Sequence, residues 1–511
     1  MNHRDAQGSE KGKVYLIGAG PGDPGLITVK GRRLIDEADC IIYDYLVPEG
    51  LLRDDSGAEL VYVGKSGANH TLEQEEINAL LVKKAREGKK VVRLKGGDPF
   101  IFGRGGEEAL ELVKEGIAFE VVPGISSAFA VPAYAGIPVT QRGITSTVTF
   151  ITGHEDPTKK SSDVDWEKIS GISGTLVFLM GVKNLPSIVE NLTGFGRSPD
   201  EDVAVIQWGT TARQQTVTGK LHNIVEQAEK ENLRPPAVIV VGRVISLRDS
   251  LAWYEKKPLF GRTIVVTRTR EQAGRLSDRL ADAGADVIEI PTIKIVPPDS
   301  FESLDAAISL MKDSRYEWVI FTSPNGVRKF FQRAFEQGFD ARIFRASSIA
   351  VIGPSTADAL KDYGLAADLV PACFRAEGIV EEMKDVVGKN ILIVRASEAR
   401  DVLPDSLREN GNTVDIAAAY TTVSPPESRE LLVKALSSGK VDMVTFTSSS
   451  TVENFAMLIE DCAEKKNLRS ASIGPVTSET ARRCGFSVSI EAEEYTVNAL
   501  ADAIIRYYSA E

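Results

Sequence analysis

Most of the second half of this chain is written twice. TIVVTRTREQAGRLSDRLADAGADVIEIPTI (263–293) is similar to NILIVRASEARDVLPDSLRENGNTVDIAAAYTT (390–422), and WVIFTSPNGVRKFF (318–331) to MVTFTSSSTVENF (443–455). SIAVIGPSTADALKDYG (348–364) is similar to SASIGPVTSETARRCG (470–485), and VPACFRAEGIVEEM (370–383) to IEAEEYTVNALADAI (490–504). Each unit reads as a strand followed by a helix. Four such units, present twice, predict two similar α/β domains with parallel sheets and a cleft between them.

The first half is organised around VVRLKGGDPFIFGRGGEE, residues 91–108. Val91 and Val92 open a buried strand. Gly96 and Gly97 remove two side chains at its end, so that bare backbone can approach a ligand. Asp98 and Pro99 fix the turn, and Glu107 and Glu108 suit the first turn of the next helix. A loop this rich in glycine, with one carboxylate and two apolar side chains, suits a flat, partly polar ligand. The alternative is a tight strand–helix connection, but so short a connection needs fewer glycines.

Upstream, VYLI is a strand, GAGPGDPG a loop, LITVKGRRLIDEA an amphipathic helix, and IIYD a second strand ending at Asp44. Gly20, Gly22 and Gly25 match GxGxxG, and Asp44 lies where a ribose-binding acid belongs, so a dinucleotide site is an alternative. Pro21 and Pro24 argue against it, since they remove two N–H groups from the turn that would cradle a pyrophosphate. VGKS is no P-loop, because Glu59 stands where its first glycine belongs. FEVVPGISSAFAVPAYAGIPVT (119–140) reads as a strand, a turn and a small-residue helix beginning near Ser126. VTFITGH, TLVFLMGV, DVAVIQWGTT and PPAVIVVGRV then give four more strands. The regular alternation predicts a two-lobed α/β unit, the lobes meeting near residues 141–147.

With 511 residues, two to four domains are expected. The net charge of −12 disfavours nucleic acid or a membrane surface as partner. Four scattered cysteines without a CxxC fit a reducing cytosol and argue against a metal site. The polar start reads as a loose tail over residues 1–12 without a signal sequence, no stretch reads as a membrane span, and a cytoplasmic location is expected. YEKKPLFGR (254–262) gathers charge, proline and glycine, and residues 256–261 are the expected linker.

At GAGPGDPGLITVKG, VGK, RLKGGDPFIFGRGGEE, VVPGISSAFAVPAYAGIPVT and VVGRV the first half, residues 13–255, resembles the uroporphyrinogen-III C-methyltransferases. This implies lobes of about 13–142 and 146–255, S-adenosylmethionine as cofactor, S-adenosylhomocysteine as its product, and methylation of uroporphyrinogen III at carbons 2 and 7 to precorrin-2. A homodimer through this half is expected. Carried over by position, Pro21, Gly96, Gly97, Asp98 and Ile101 line the cofactor, with Ser126, Ser127, Met180, Gly209 and Ala237. The resemblance makes Asp44 the proton acceptor and Lys65 the donor. Without it, Met180 reads as core, Ser127 as an ordinary helix residue, and Asp44 and Lys65 as solvated charges. The family often carries His where this chain has Gln141, so no proton-transfer role is assigned there.

The second half, 262–511, resembles uroporphyrinogen-III synthase through VTRTREQA, FTSPNGV, IGPSTA and IGPVTS. The resemblance implies two flavodoxin-like domains, about 262–293 with 424–508 and about 297–420, and hydroxymethylbilane as substrate. All four histidines precede this half, so imidazole catalysis is excluded in it. Tyr420 matches the family's tyrosine and is the expected proton donor. Thr322, Ser323, Asn325, Ser448, Ser450 and Thr477 at strand-end turns, with Arg268 and Arg395 at equivalent repeat positions, are expected to bind substrate carboxylates. The plain alternative is that these hydroxyls only cap helices. Two similar domains around a hinge also describe solute-binding proteins, but those are normally exported and no signal sequence is read here; the alternative that remains is an anion-sensing regulatory domain. The branch fed by the product is open among sirohaem, cobalamin and haem.

Overall fold

The computed structural model describes residues 12–52, 57–64, 72–153, 164–267, 270–399, 401–423, 425–437, 439–460 and 468–510. Among them, twenty strands form four five-stranded sheets. No described helix is long and apolar enough to cross a membrane.

The first sheet holds β1 (Lys13–Gly18), β2 (Cys40–Tyr43), β3 (Glu59–Tyr62), β4 (Lys90–Lys95) and β5 (Ala118–Val122), in the order β3-β2-β4-β1-β5. All its pairs are parallel. The central strands are mostly apolar because both faces are covered, with Arg93 and Lys95 near the end of β4 as buried exceptions. Val14, Leu16, Ile42 and Val91 pack into one core, and Ile17, Ile41, Val92 and Leu94 into the other. This is the period-two alternation of a strand. On the edge strands, Glu59 pairs with Lys84 and Lys89 at 2.6 and 2.7 Å, and Glu120 with Lys13 at 2.6 Å and with Lys30. Hydrogen bonds from these lysines pull both carboxyls down to about 2.

The second sheet holds β6 (Val148–Thr152), β7 (Thr175–Leu179), β8 (Asp202–Gln207), β9 (Gln215–Lys220) and β10 (Ala237–Val241), in the order β6-β7-β10-β8-β9. Only β6 and β7 run parallel; the other pairs are antiparallel. β9, QTVTGK, is the strand that hydrophobic runs do not reveal. It is an edge strand without a fully buried residue.

The rest of the chain supplies β11 (Thr263–Val266), β12 (Asp286–Glu289), β13 (Lys294–Val296), β14 (Trp318–Phe321), β15 (Ser348–Val351), β16 (Asn390–Ala396), β17 (Thr413–Val423), β18 (Val441–Phe446), β19 (Arg469–Ser472) and β20 (Ser487–Glu491). Two sheets result, β12-β11-β18-β19-β20 and β13-β17-β16-β14-β15. The duplicated sequence explains them. β11 and β12 correspond to β16 and β17, β18 to β14, and β19 to β15. β20 corresponds to the segment at Leu369, which bridges Ala350 in parallel. The strand order is therefore the same in both, yet each sheet draws strands from both copies of the repeat. β13 is an addition, antiparallel to the end of β17.

By compactness the chain falls into two units, residues 1–264 with 278–287 and 504–511, and residues 265–277 with 288–503. Residues 254–261 are packed. Tyr254 and Leu259 are buried, the Leu259 N–H donates to Ala283 O at 2.9 Å, and the Tyr254 and Phe260 rings meet edge to face at 5.5 Å.

Candidate functional site

β1 and β4 are parallel neighbours, so the loops that leave their C-terminal ends lie side by side. Gly20 and Gly97 lock these loops together. Gly97 N donates to Gly20 O at 2.7 Å, and Gly20 N to Gly97 O at 3.2 Å. Gly97 has φ +68, where a side chain is strained, and a Cβ there would meet nothing nearer than Ser127 N at 3.8 Å. A Cβ at Gly97 would therefore sit in ordinary contact with the start of the helix Ser127–Tyr134, without a clash. Gly96 serves packing instead, since a Cβ would strike Leu46 Cβ at 2.5 Å. Asp98 accepts from Phe100 N at 2.8 Å and Gly124 N at 2.9 Å, which stitches the β4 loop to the β5 turn and leaves further lone pairs on each oxygen.

Of the remaining expected cofactor residues, Ser126 and Ser127 lie beside Gly97. Pro21 follows Gly20. Ser126 caps the helix start, accepting from Ala128 N at 3.3 Å, and Ser127 is its first residue. Gly209 lets the turn after β8 lie against Val131, which any Cβ would overlap. Ala237 opens β10, opposite Gln207. Ile101 is half-buried between the exposed Phe100 and Phe102. Met180 follows β7, half exposed, at φ +58.

Positive φ at non-glycine residues marks the same loops. Phe102 and Arg104 follow β4, Met180 follows β7, and Trp208 and Thr210 follow β8. Strain of this kind collects where a loop is shaped for a ligand. Phe100, Phe102, Arg104, Glu107, Thr152 and Met180 border an open groove of about 500 Å³ between the two lobes, the size of a small-molecule site. Phe102 is one of the two apolar loop residues that the sequence offered to a flat ligand, whereas Arg104, Thr152 and Thr210 had no signal beyond their places at or after strand ends.

Asp44 follows β2 and is three-quarters buried; it accepts from Leu46 N at 3.2 Å and lies 3.5 Å from Arg93 Nη2. Arg93 is buried and pairs with Glu108 at 3.1 Å, and Lys95 reaches the same Glu108 oxygen at 2.8 Å. Burial, then the Arg93 charge, pushes the Lys95 amine below its usual range. Among the described residues Glu108 Oε2 has no hydrogen-bond partner. Glu108, expected as a first-turn carboxylate, is thus fully buried at the centre of a charge cluster. Lys65 lies outside the described residues. Gln141 is exposed and bridges Thr145 between the lobes.

In the second half the ends of β14, β16 and β17 bring Thr322, Ser323 and Tyr420 together. Tyr420 Oη and Ser323 Oγ share a hydrogen bond of 2.9 Å, and Ser323 also caps the next helix through Gly326 N at 3.0 Å. Thr322 bonds Val394 O at 3.3 Å. Burial raises the Tyr420 phenol, so it stays protonated at neutral pH. Asn325 lies in the helix's first turn. Arg395, nearly buried, pairs with Asp401 at 2.7 Å. Ser448 caps the helix Ser449–Leu458 in a capping box with Thr451, Ser450 is exposed in its first turn, and Thr477 is buried in the helix Pro475–Arg483. Arg268 lies outside the described residues. Among the described residues no cluster of His, Cys, Asp and Glu could hold a metal ion.

The fold and these strand-end loops define a two-part α/β enzyme, a two-lobed methylase followed by a duplicated parallel-sheet unit. Residues 13–225 match the tetrapyrrole (corrin/porphyrin) methylases and residues 274–502 match uroporphyrinogen-III synthase HemD. The chain is 38% identical over 499 residues, 97% of its length and 98% of the relative's, to the porphyrin biosynthesis protein HemD of Ruminiclostridium josui. It is 45% identical over 334 residues, 65% of this chain and 68% of the relative, to uroporphyrinogen-III C-methyltransferase of Bacillus subtilis (strain 168). It is 58% identical over 241 residues, 47% of this chain and 94% of the relative, to the S-adenosyl-L-methionine-dependent uroporphyrinogen III methyltransferase of Methanosarcina barkeri. The chain belongs to the HemD family of porphyrin biosynthesis proteins, in the form that joins a methyltransferase to the synthase.

Proposed function

We propose that this chain performs two consecutive steps. The C-terminal half closes hydroxymethylbilane to uroporphyrinogen III with inversion of ring D. The N-terminal half methylates that product at carbons 2 and 7 to precorrin-2. The observation that carries this reading is that one chain matches both families along its length.

The residues suit S-adenosylmethionine. The bare backbone of Gly97 faces the Ser126–Ser127 helix start, and Ile101 and Met180 supply apolar surface. When bound, the sulfonium supplies an electrophilic methyl group. Gly96, Gly97, Pro21, Gly209 and Ala237 offer backbone, Asp98 a hydrogen-bond acceptor, and the loops fix the direction of approach. Phe100 and Phe102 offer flat apolar surface to a macrocycle, and Arg104 a cation for its carboxylates. Asp44, oriented by Arg93, takes the proton that the methylated ring must lose, and Lys65 returns one.

In the synthase half Tyr420 donates its proton to the departing hydroxyl, and Ser323 holds the phenol in place. Thr322, Asn325, Ser448, Ser450, Thr477, Arg268 and Arg395 bind the side-chain carboxylates. The halves divide at residues 256–261, the methyltransferase half pairs with a second copy of itself, and the protein works in the cytoplasm. Supplying uroporphyrinogen III with methyl-labelled S-adenosylmethionine tests the methyltransferase reading. Two labels per macrocycle are expected, and none would overturn it.

A further inference from the structure

The segment that joins the two halves is built into the methyltransferase half. Trp253 Nε1 donates to Ala133 O at 3.1 Å, and its ring meets the Tyr134 ring at 5.0 Å. Tyr254 lies 4.8 Å from the same ring. One Glu255 oxygen accepts from Gln214 Nε2 at 2.8 Å and Thr216 Oγ1 at 2.7 Å, and the other pairs with Arg248.

Two routes lead from these residues to Asp23. On the first, Tyr134 Oη donates to Asp23 Oδ2 at 2.8 Å. Burial and Asp23 raise this phenol, so it remains a neutral donor. On the second, Gln214 Oε1 accepts from Thr210 N at 3.0 Å, and Thr210 Oγ1 accepts from Asp23 N at 3.1 Å. Thr210 has φ +69, a conformation that these bonds hold against its strain. Asp23 also accepts from Gly25 N at 2.8 Å, shaping the turn at Pro24. The loop that begins at the Gly20–Gly97 lock is therefore fastened a second time at Asp23. A loop anchored at both ends has less freedom to lose when a ligand binds.

We propose that Tyr134 and Glu255 are positioning residues for the cofactor, holding the Pro21–Pro24 loop at its second anchor. Residues 253–255, which adjoin the synthase half in sequence, thereby set the affinity for S-adenosylmethionine. This rests on the reading of the Gly97 loop as the cofactor site.

The test uses the full-length chain. Tyr134→Phe removes one hydroxyl and keeps the ring packing. Glu255→Gln keeps the shape and removes the charge. S-adenosylhomocysteine is titrated by calorimetry, methylation kinetics give KM and kcat, and a thermal melt reports folding. Each variant should bind about ten-fold more weakly, with a matching rise in KM for S-adenosylmethionine and kcat within about two-fold of the parent. Because both act through Asp23, the double variant should depart from the product of the single effects. Unchanged affinity in folded variants overturns the proposal. If Tyr134→Phe does not fold, Glu255→Gln alone decides. Gly97→Val in the same titration separates the two failures. Normal binding by that variant means the cofactor lies elsewhere. Loss of binding there, with Tyr134→Phe and Glu255→Gln both normal, refutes only the positioning role.

Discussion

Asp44 is the outward end of a buried charge cluster, held by Arg93, which is held in turn by Glu108. Replacing it by Asn keeps its shape and removes the proposed proton acceptor. Asp44→Asn should lower kcat for methylation about 10²-fold or more while calorimetric affinity for S-adenosylhomocysteine is kept; equal loss of both would make Asp44 a cofactor or structural residue. Gly97→Val forces a β-branched residue into φ +68 and puts atoms against Ser126 and Ser127. Cofactor binding should vanish while the melting curve survives, and retained affinity would move the site. Tyr420→Phe removes the phenol that bonds Ser323. Formation of the type III isomer should slow without stopping, because the bilane can lose water unaided, and an unchanged rate would reassign Tyr420 to packing. That Gly96, Gly97 and Asp44 follow strands was legible because the apolar runs before them are distinctive. The pairings of Glu108, Tyr134 and Glu255 were not. Their partners lie 13, 111 and 41 residues away, at Lys95, Asp23 and Gln214, and no local pattern encodes such pairings.

At the scale of elements, apolar runs disclosed the central strands, because a strand covered on both faces has few polar positions. β9 stayed hidden, since an edge strand alternates weakly and carries polar residues. The antiparallel pairing of β7, β8 and β10 was equally invisible, because direction is decided by connections and not by composition. The edges of the first sheet carry a pH dependence. Glu59 and Glu120 are held at about 2 against an ordinary value of about 4.5. Depressed carboxyls contribute stability that is present above about 4.5 and is lost as pH falls through about 2. The pairs are solvent-exposed, so the loss should be small and weaken with salt. Thermal melts of Glu59→Gln should decline less steeply than the parent between those pH values, and parallel curves would show that the pairs contribute nothing. In the fourth sheet's domain, Phe331 is fully buried and stacks on Tyr363 at 4.1 Å. Phe331→Ala should cost about 3–5 kcal/mol in denaturant titrations. Isomer formation should fall while methylation persists, and equal loss of both would join the two halves energetically.

At the scale of the whole molecule, the duplicated sequence gave the two matching sheets, and the exchange of strands between copies follows from where β11 and β16 fall in them. Residues 256–261 have the composition of a linker, yet Leu259 is buried and Phe260 meets Tyr254. Composition reports solubility and turn chemistry, not whether a particular leucine finds a pocket. Severing the chain between Lys257 and Phe260 should therefore leave two folded, active fragments, residues 1–257 with weakened cofactor affinity through loss of the Phe260 contact. A fragment that is dead alone and recovers on mixing would mean that the halves share an essential interface. The most direct measurement of the central claim is incubation of the intact chain with hydroxymethylbilane, with and without S-adenosylmethionine, followed by isomer and mass analysis. Without the cofactor, uroporphyrinogen III should accumulate, and with it the type III product should carry two added methyl groups. Accumulation of the type I isomer alone, or a type III product that gains no methyl group, would contradict the account.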